Sequence, residues 1–157
     1  MLKFDFDCSS ETLVELLCDP EFVIDRSLAM GDLEAECEVY EEEDVTTVIS
    51  QRRIVRDLPG FLQRVFDPVQ QVKVVEQWRA TDQASWHCQQ EVDIEGVPLK
   101  LSAAIEVAPT EAGCCYRIRQ SARAKLPLIG GRLESFSINQ AQYGVKDDMR
   151  YVREHLE

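Results

Sequence analysis

The sequence is poor in the residues that most often do chemistry. It holds two histidines in 157 residues, and neither His87 nor His155 belongs to an HExxH or any other metal-ligand spacing. There is no GxSxG, no P-loop and no GxGxxG; Gly130-Gly131 stands alone as a hinge. These absences remove the zinc proteases, the nucleophile-elbow hydrolases and the phosphate-cradling nucleotide enzymes. No run approaches the roughly 18 apolar residues that a membrane-spanning helix needs. The first eleven residues carry acids where a signal peptide would be purely apolar. The expectation is a cytoplasmic protein without stable membrane insertion.

Positive charge is also scarce. Lys+Arg number 17 against 29 Asp+Glu, a net charge of −12. That balance repels phosphate backbones and anionic lipid surfaces. Arg52-Arg53 is short, and Arg117, Arg119, Arg123 and Lys125 alternate as the wet face of a strand would. Nucleic acid is therefore excluded as a partner. The acids gather at Glu34, Glu36 and Glu38 and at residues 41–44. Alternate strand positions stand about 7 Å apart, too far for a tight hard-cation cage. They read as a solvated strand face and its turn, and no metal or cofactor is expected. The six cysteines (8, 18, 37, 88, 114 and 115) form no CxxC and no loop framework. They read as free thiols used as small hydrophobes. In a strand, Cys114 and Cys115 would face opposite ways, which argues against a redox pair.

What is present is patterned. Hydrophobic residues make up 45% and charged residues 29%, an ordinary globular balance for one domain over residues 1–157. Leu2, Phe4, Phe6 and Cys8 alternate with Lys3, Asp5 and Asp7, which predicts a half-buried strand. Two short helices follow. The first covers residues 11–18 behind Ser9 or Ser10; the second opens on Asp19-Pro20-Glu21 and stops at Gly31. From residue 32 the period changes to two. Strands are predicted at 33–40, 45–56, 69–80, 84–94, 97–107 and 114–126, with a break at 57–68 that has one or two helical turns. Strands joined by tight turns must be antiparallel. After Pro127–Gly131, residues 132–156 predict a helix of roughly 37 Å. A compact domain of this size is roughly 39 Å across. One terminal helix therefore crosses the molecule. The fold class is α+β: a curved antiparallel sheet of about seven strands around a long C-terminal helix, with two short helices after the first strand.

Such a sheet leaves an interior that is either filled or hollow. Strand parity and helix angle select the residues facing it: Trp78, Trp86, Leu99, Leu101, Ile105, Tyr116 and Ile118 from the strands. Leu133, Phe136, Gln140 and Tyr143 face it from the helix. Core packing explains each one singly; together they could line a ligand pocket, with Gln140 orienting a polar head. Segment 57–68 would be its lid or mouth. The carboxylates fall on solvent parity, poor ground for a tuned acid, and no catalytic residue is assigned.

Several segments carry a family resemblance: the opening F-x-F, CDPEFV (18–23), DLPGFLQRVF (57–66), EQW (76–78), EGVPLKLS (95–102) and KLPLIGGRLE (125–134). With them the chain resembles an uncharacterised bacterial family of the START-like (SRPBCC) superfamily. The resemblance spans nearly the whole chain and is most specific at LPLIGGRLE. It implies a helix-grip fold that holds a lipid, sterol, polyketide or other hydrophobic small molecule between sheet and helix. Two alternatives stand beside that reading. One is a cyclase or hydratase, which would need Gln140, Asp147, Glu76 or Tyr143 to point inward with a shifted pKa. The other is a solid-core interaction module that docks a basic partner on the acidic edge at residues 34–44.

Overall fold

The computed structural model describes residues 1–157. In chain order the elements are β1 (Leu2–Phe6), α1 (Ser10–Leu17), α2 (Pro20–Ala29), β2 (Glu34–Glu42), β3 (Val45–Val55), α3 (Gly60–Gln63), β4 (Val69–Ala80), β5 (Trp86–Ile94), β6 (Leu99–Pro109), β7 (Cys114–Ala124) and α4 (Gly130–Leu156). A short 3-10 turn at Asp82–Ala84 joins β4 to β5. The seven strands form one open sheet in the order β1-β7-β6-β5-β4-β3-β2, antiparallel at every pairing. Strands β2 to β7 meander hairpin by hairpin, and β1 closes on β7. The α+β architecture, the seven strands, the two short helices and the long terminal helix are as the periodicity predicts.

Local chemistry sets the boundaries. Ser9 accepts the Thr12 N–H at 3.1 Å and starts α1; Asp19 accepts the Glu21 N–H at 3.0 Å and starts α2, with Pro20 in the first turn. Gly31 ends α2 with φ +97°, and the Asp32 N–H then reaches back to the Ser27 carbonyl at 3.1 Å. This left-handed stop fixes where Asp32 stands. Two strands start later than the alternation predicts. Gln83 and Ala84 take positive φ (70° and 61°), so β5 begins at Trp86 and not at residue 84. Pro98 has no N–H to give a ladder, so β6 begins at Leu99 and not at residue 97. The helix α4 starts two residues earlier than predicted; Glu134 accepts the Ala124 N–H at 2.7 Å and ties its first turns to the end of β7.

Helix α4 packs most closely on β7 and β1, at one side of the sheet. Gln120 of β7 donates to the Ala141 carbonyl at 3.2 Å and holds the helix at its middle. Two apolar clusters result. The larger joins Trp78, Ile105, Tyr116 and Ile118 to α1, α2 and the C-terminal half of α4 through Leu13, Phe22 and Val152. The smaller joins Leu58, Leu62, Phe66, Leu99 and Leu133, where α3 meets the start of α4. No helix is long and apolar enough to cross a membrane. All six cysteines are unpaired.

Candidate functional site

Because α4 packs on β7 and β1, it stands off β3, β4 and β5 without packing directly on them. The space left there is a cavity of about 380 Å³, within the range of small-molecule sites. Strand alternation supplies its floor: Arg52, Ile54 and Arg56 from β3 and the residue after it, Val72, Val74 and Glu76 from β4, Gln90, Val92 and Ile94 from β5. Leu58, Leu62 and Phe66 wall one end, and Arg26 of α2 and Met30 just after it wall another side. Leu133, Phe136, Gln140 and Asp148 of α4 form the roof. Of its 35 lining residues 19 are hydrophobic, so the cavity is amphipathic.

Six of the residues selected by parity and helix angle meet here: Leu99, Leu101, Leu133, Phe136, Gln140 and Tyr143. Tyr143 stands at the mouth, 66% exposed. The other five lie elsewhere. Ile105 is sealed in the larger core cluster, and Trp86 is half-buried against it. Trp78, Tyr116 and Ile118 line a void of about 40 Å³ that adjoins the cavity and shares Arg26, Glu76, Gln90 and Asp148 with it. The reason is the position of α1, α2 and the C-terminal half of α4, which fill that end of the sheet. Parity identifies an inward face but not which part of it a helix covers.

The carboxylates correct the sequence reading. Glu76 shares the inward parity of Val72, Val74 and Trp78, not the solvent parity. Its cross-strand neighbour Gln90 is also polar and inward, and donates Nε2–H to Glu76 Oε2 at 2.9 Å. Burial pushes the Glu76 pKa up; Arg26 and the Gln90 bond oppose that rise only in part, and Asp148 adds to it. Asp148 is also pushed up, chiefly by burial, against the pull of Arg26 and Arg52. The surface it retains gives onto the cavities it lines. Beside them the buried Trp78 indole also opposes the rise of the Glu76 pKa, although its Nε1–H falls short of full hydrogen-bond geometry. Burial and then Glu76 push the Tyr116 phenol well up. Asp147, by contrast, is exposed and pairs with Arg150 at 3.2 Å. Of the four groups a cyclase or hydratase would need inward, Glu76 is the one that is inward with a raised pKa, and its sequence signal is an acid among valines opposite a glutamine.

Three arginines face the cavity. Arg26 lies 3.8 Å from Asp148, and Arg52 lies 3.2 Å from Asp32, which the Gly31 turn presents. Arg56 forms no ion pair; its one side-chain hydrogen bond is a long one, 3.5 Å, to Gln140 Oε1. Burial and then Arg52 lower its pKa, and Asp32 opposes them. Chemically, the cavity offers a carboxylic acid biased toward its neutral, donating form, a guanidinium with unused N–H groups, and an apolar wall.

No curated protein matches the chain. The chain belongs to the family described as a protein of unknown function (DUF2505), whose model matches residues 1–156.

Proposed function

We propose that this protein holds one amphipathic small molecule or single-chain lipid in the cavity between β3–β6 and α4. The observation that carries this reading is the cavity itself: about 380 Å³, with leucines, valines and phenylalanines on part of its wall and polar and charged groups on the rest. Protein interiors are close-packed, so a hollow of this size in a chain of 157 residues needs an occupant or water. The resemblance to the START-like superfamily, noted in the sequence, supports the same reading. Six unpaired thiols support a cytoplasmic location. The cavity volume weighs against the solid-core interaction module.

A second reading has one specific observation in its favour. Glu76 is a walled-in acid with a raised pKa inside the cavity, hydrogen-bonded by Gln90 and near Tyr116 and Asp148. A cyclase or hydratase acting on a hydrophobic substrate would use such a group as a proton donor. The binding reading ranks first because Glu76 lacks a paired base at bonding distance among its hydrogen-bond partners.

Native mass spectrometry of freshly purified protein tests the proposal, with denaturing analysis of an organic extract. The expected result is one bound amphiphile per chain, lost in Val74→Trp, which fills the cavity floor. An apo mass together with no thermal shift across a panel of fatty acids, fatty alcohols and sterols would overturn it.

A further inference from the structure

Resting on the binding reading above, we propose that the ligand carries a carboxylate head and that Arg56, steadied by Gln140, receives it. The argument is a census of charge around the cavity. Four carboxylates line it: Asp32 pairs with Arg52, Asp148 with Arg26 and Asp147 with Arg150, while Glu76 has no ion partner and takes a short bond from the Gln90 amide. Arg26 and Arg52 are engaged by the same pairs. Arg56 is left over. A guanidinium has five N–H donors, and Arg56 spends one of them on a bond to a neutral amide at 3.5 Å.

An unpaired, half-buried cation is expensive to keep. Arg56 is further disfavoured by the like charge of Arg52, four residues earlier on the same strand face. An anion in the cavity would relieve both costs. The planar fork matches a carboxylate in a two-point contact, which a hydroxyl or an amine cannot form. Gln140 comes from the roof and Arg56 from the floor, so a head bound between them bridges helix and sheet. The tail then has apolar surface within the same cavity, from Leu58, Leu99, Leu101 and Phe136. A cationic head would have only Glu76 to meet, a carboxyl that burial disfavours in its charged form and that Gln90 already bonds at 2.9 Å.

The test compares three ligands with one tail, decanoate, 1-decanol and decyltrimethylammonium, by calorimetric titration at low salt. Wild type should bind decanoate one per chain and at least about tenfold more tightly than decanol, as expected for a charge-assisted two-point contact. Arg56→Gln should erase that preference by weakening decanoate about tenfold more than decanol, with an unchanged circular-dichroism spectrum and cooperative melt reporting an intact fold. Gln140→Glu keeps the guanidinium but gives it a built-in carboxylate, and should erase the preference as well. If both variants keep the preference for decanoate, the head is bound elsewhere and the assignment to Arg56 fails, while the binding reading stands. If wild type prefers decanol or the ammonium, the carboxylate proposal fails outright. If wild type binds none of the three but does take up a sterol, the carboxylate proposal alone fails; if it shows no uptake across the whole panel of fatty acids, fatty alcohols and sterols, the binding reading falls and takes this one with it.

Discussion

Truncating Leu62 to alanine isolates what α3 contributes to the cavity. Leu62 has no exposed surface and joins Leu58, Phe66, Leu99 and Leu133 in the smaller apolar cluster. It also lines the cavity, so its atoms separate that space from the surface at the α3 end. Leu62→Ala removes three carbon atoms from a fully buried position. At ~0.8 kcal/mol each, the transfer cost is about 2.4 kcal/mol. A closed site would add a void and raise the loss toward about 5 kcal/mol. Here the vacated space runs into an existing cavity, so the added cost is small and the expected loss is about 2.5–3.5 kcal/mol. Urea unfolding reads this directly. With a slope of about 2 kcal/mol per molar, the midpoint should fall by roughly 1.5 M with the slope unchanged. A loss below about 1 kcal/mol would refute the reasoning, because a fully buried leucine cannot be that cheap. It would mean that residues 57–68 do not close this end of the cavity.

Glu76→Gln should stabilise the protein progressively as pH rises. A carboxyl whose pKa is raised on folding contributes its full stability below the unfolded value of about 4.3 and loses it as pH climbs through the folded value. Thermal melts across pH should therefore show the variant gaining on wild type above that point; a widening deficit would contradict the burial of Glu76. Two glycines should respond with opposite signs. A Cβ at Gly113 would clash with the Phe6 carbonyl oxygen at the end of β1 and lie 2.8 Å from that of Cys8 beyond it, so Gly113→Ala should cost more than about 1 kcal/mol. A Cβ at Gly144 meets nothing, so Gly144→Ala should gain about 0.5–1 kcal/mol from helix propensity in the same melts. Burial and nearby acids push Cys18 to about 12 and Cys37 to about 11. A thiol reagent at about pH 8 should label both far more slowly in folded than in urea-unfolded protein, and equal rates would refute their burial.

Much of the fold is legible in the sequence because its signals are local. Ser9, Asp19-Pro20 and Gly31 punctuate the helices through hydrogen bonds and φ values that their own side chains determine. Alternation from Leu99 to Val107 names a buried face wherever the strand lies. The cavity is less legible because it depends on what fails to cover that face. Trp78 and Leu101 are equivalent by parity, yet Trp78 sits under the packed helices and Leu101 under open space. Leu99, Phe136 and Gln140 were selected for their faces and do line the cavity, whereas Trp86 follows the packed end of its strand. Arg56 carries no signal in the sequence. It follows Val55 at a strand end, and its lack of a partner emerges only once Asp32 is given to Arg52. Glu76 and Gln90 did carry a signal, a polar residue at an inward position on each of two paired strands.

The central claim is that the space between the sheet and α4 is a ligand site. The most direct measurement is an amide chemical-shift titration of the folded protein with decanoate. The account predicts saturable shifts that reach completion at one ligand per chain. They should gather at Arg56, Leu62, Leu99, Phe136 and Gln140, the residues around the cavity and its Arg56 pole. Shifts confined to the solvent face, at Arg117, Arg119 and Arg123, or no saturable shift at millimolar ligand, would contradict it.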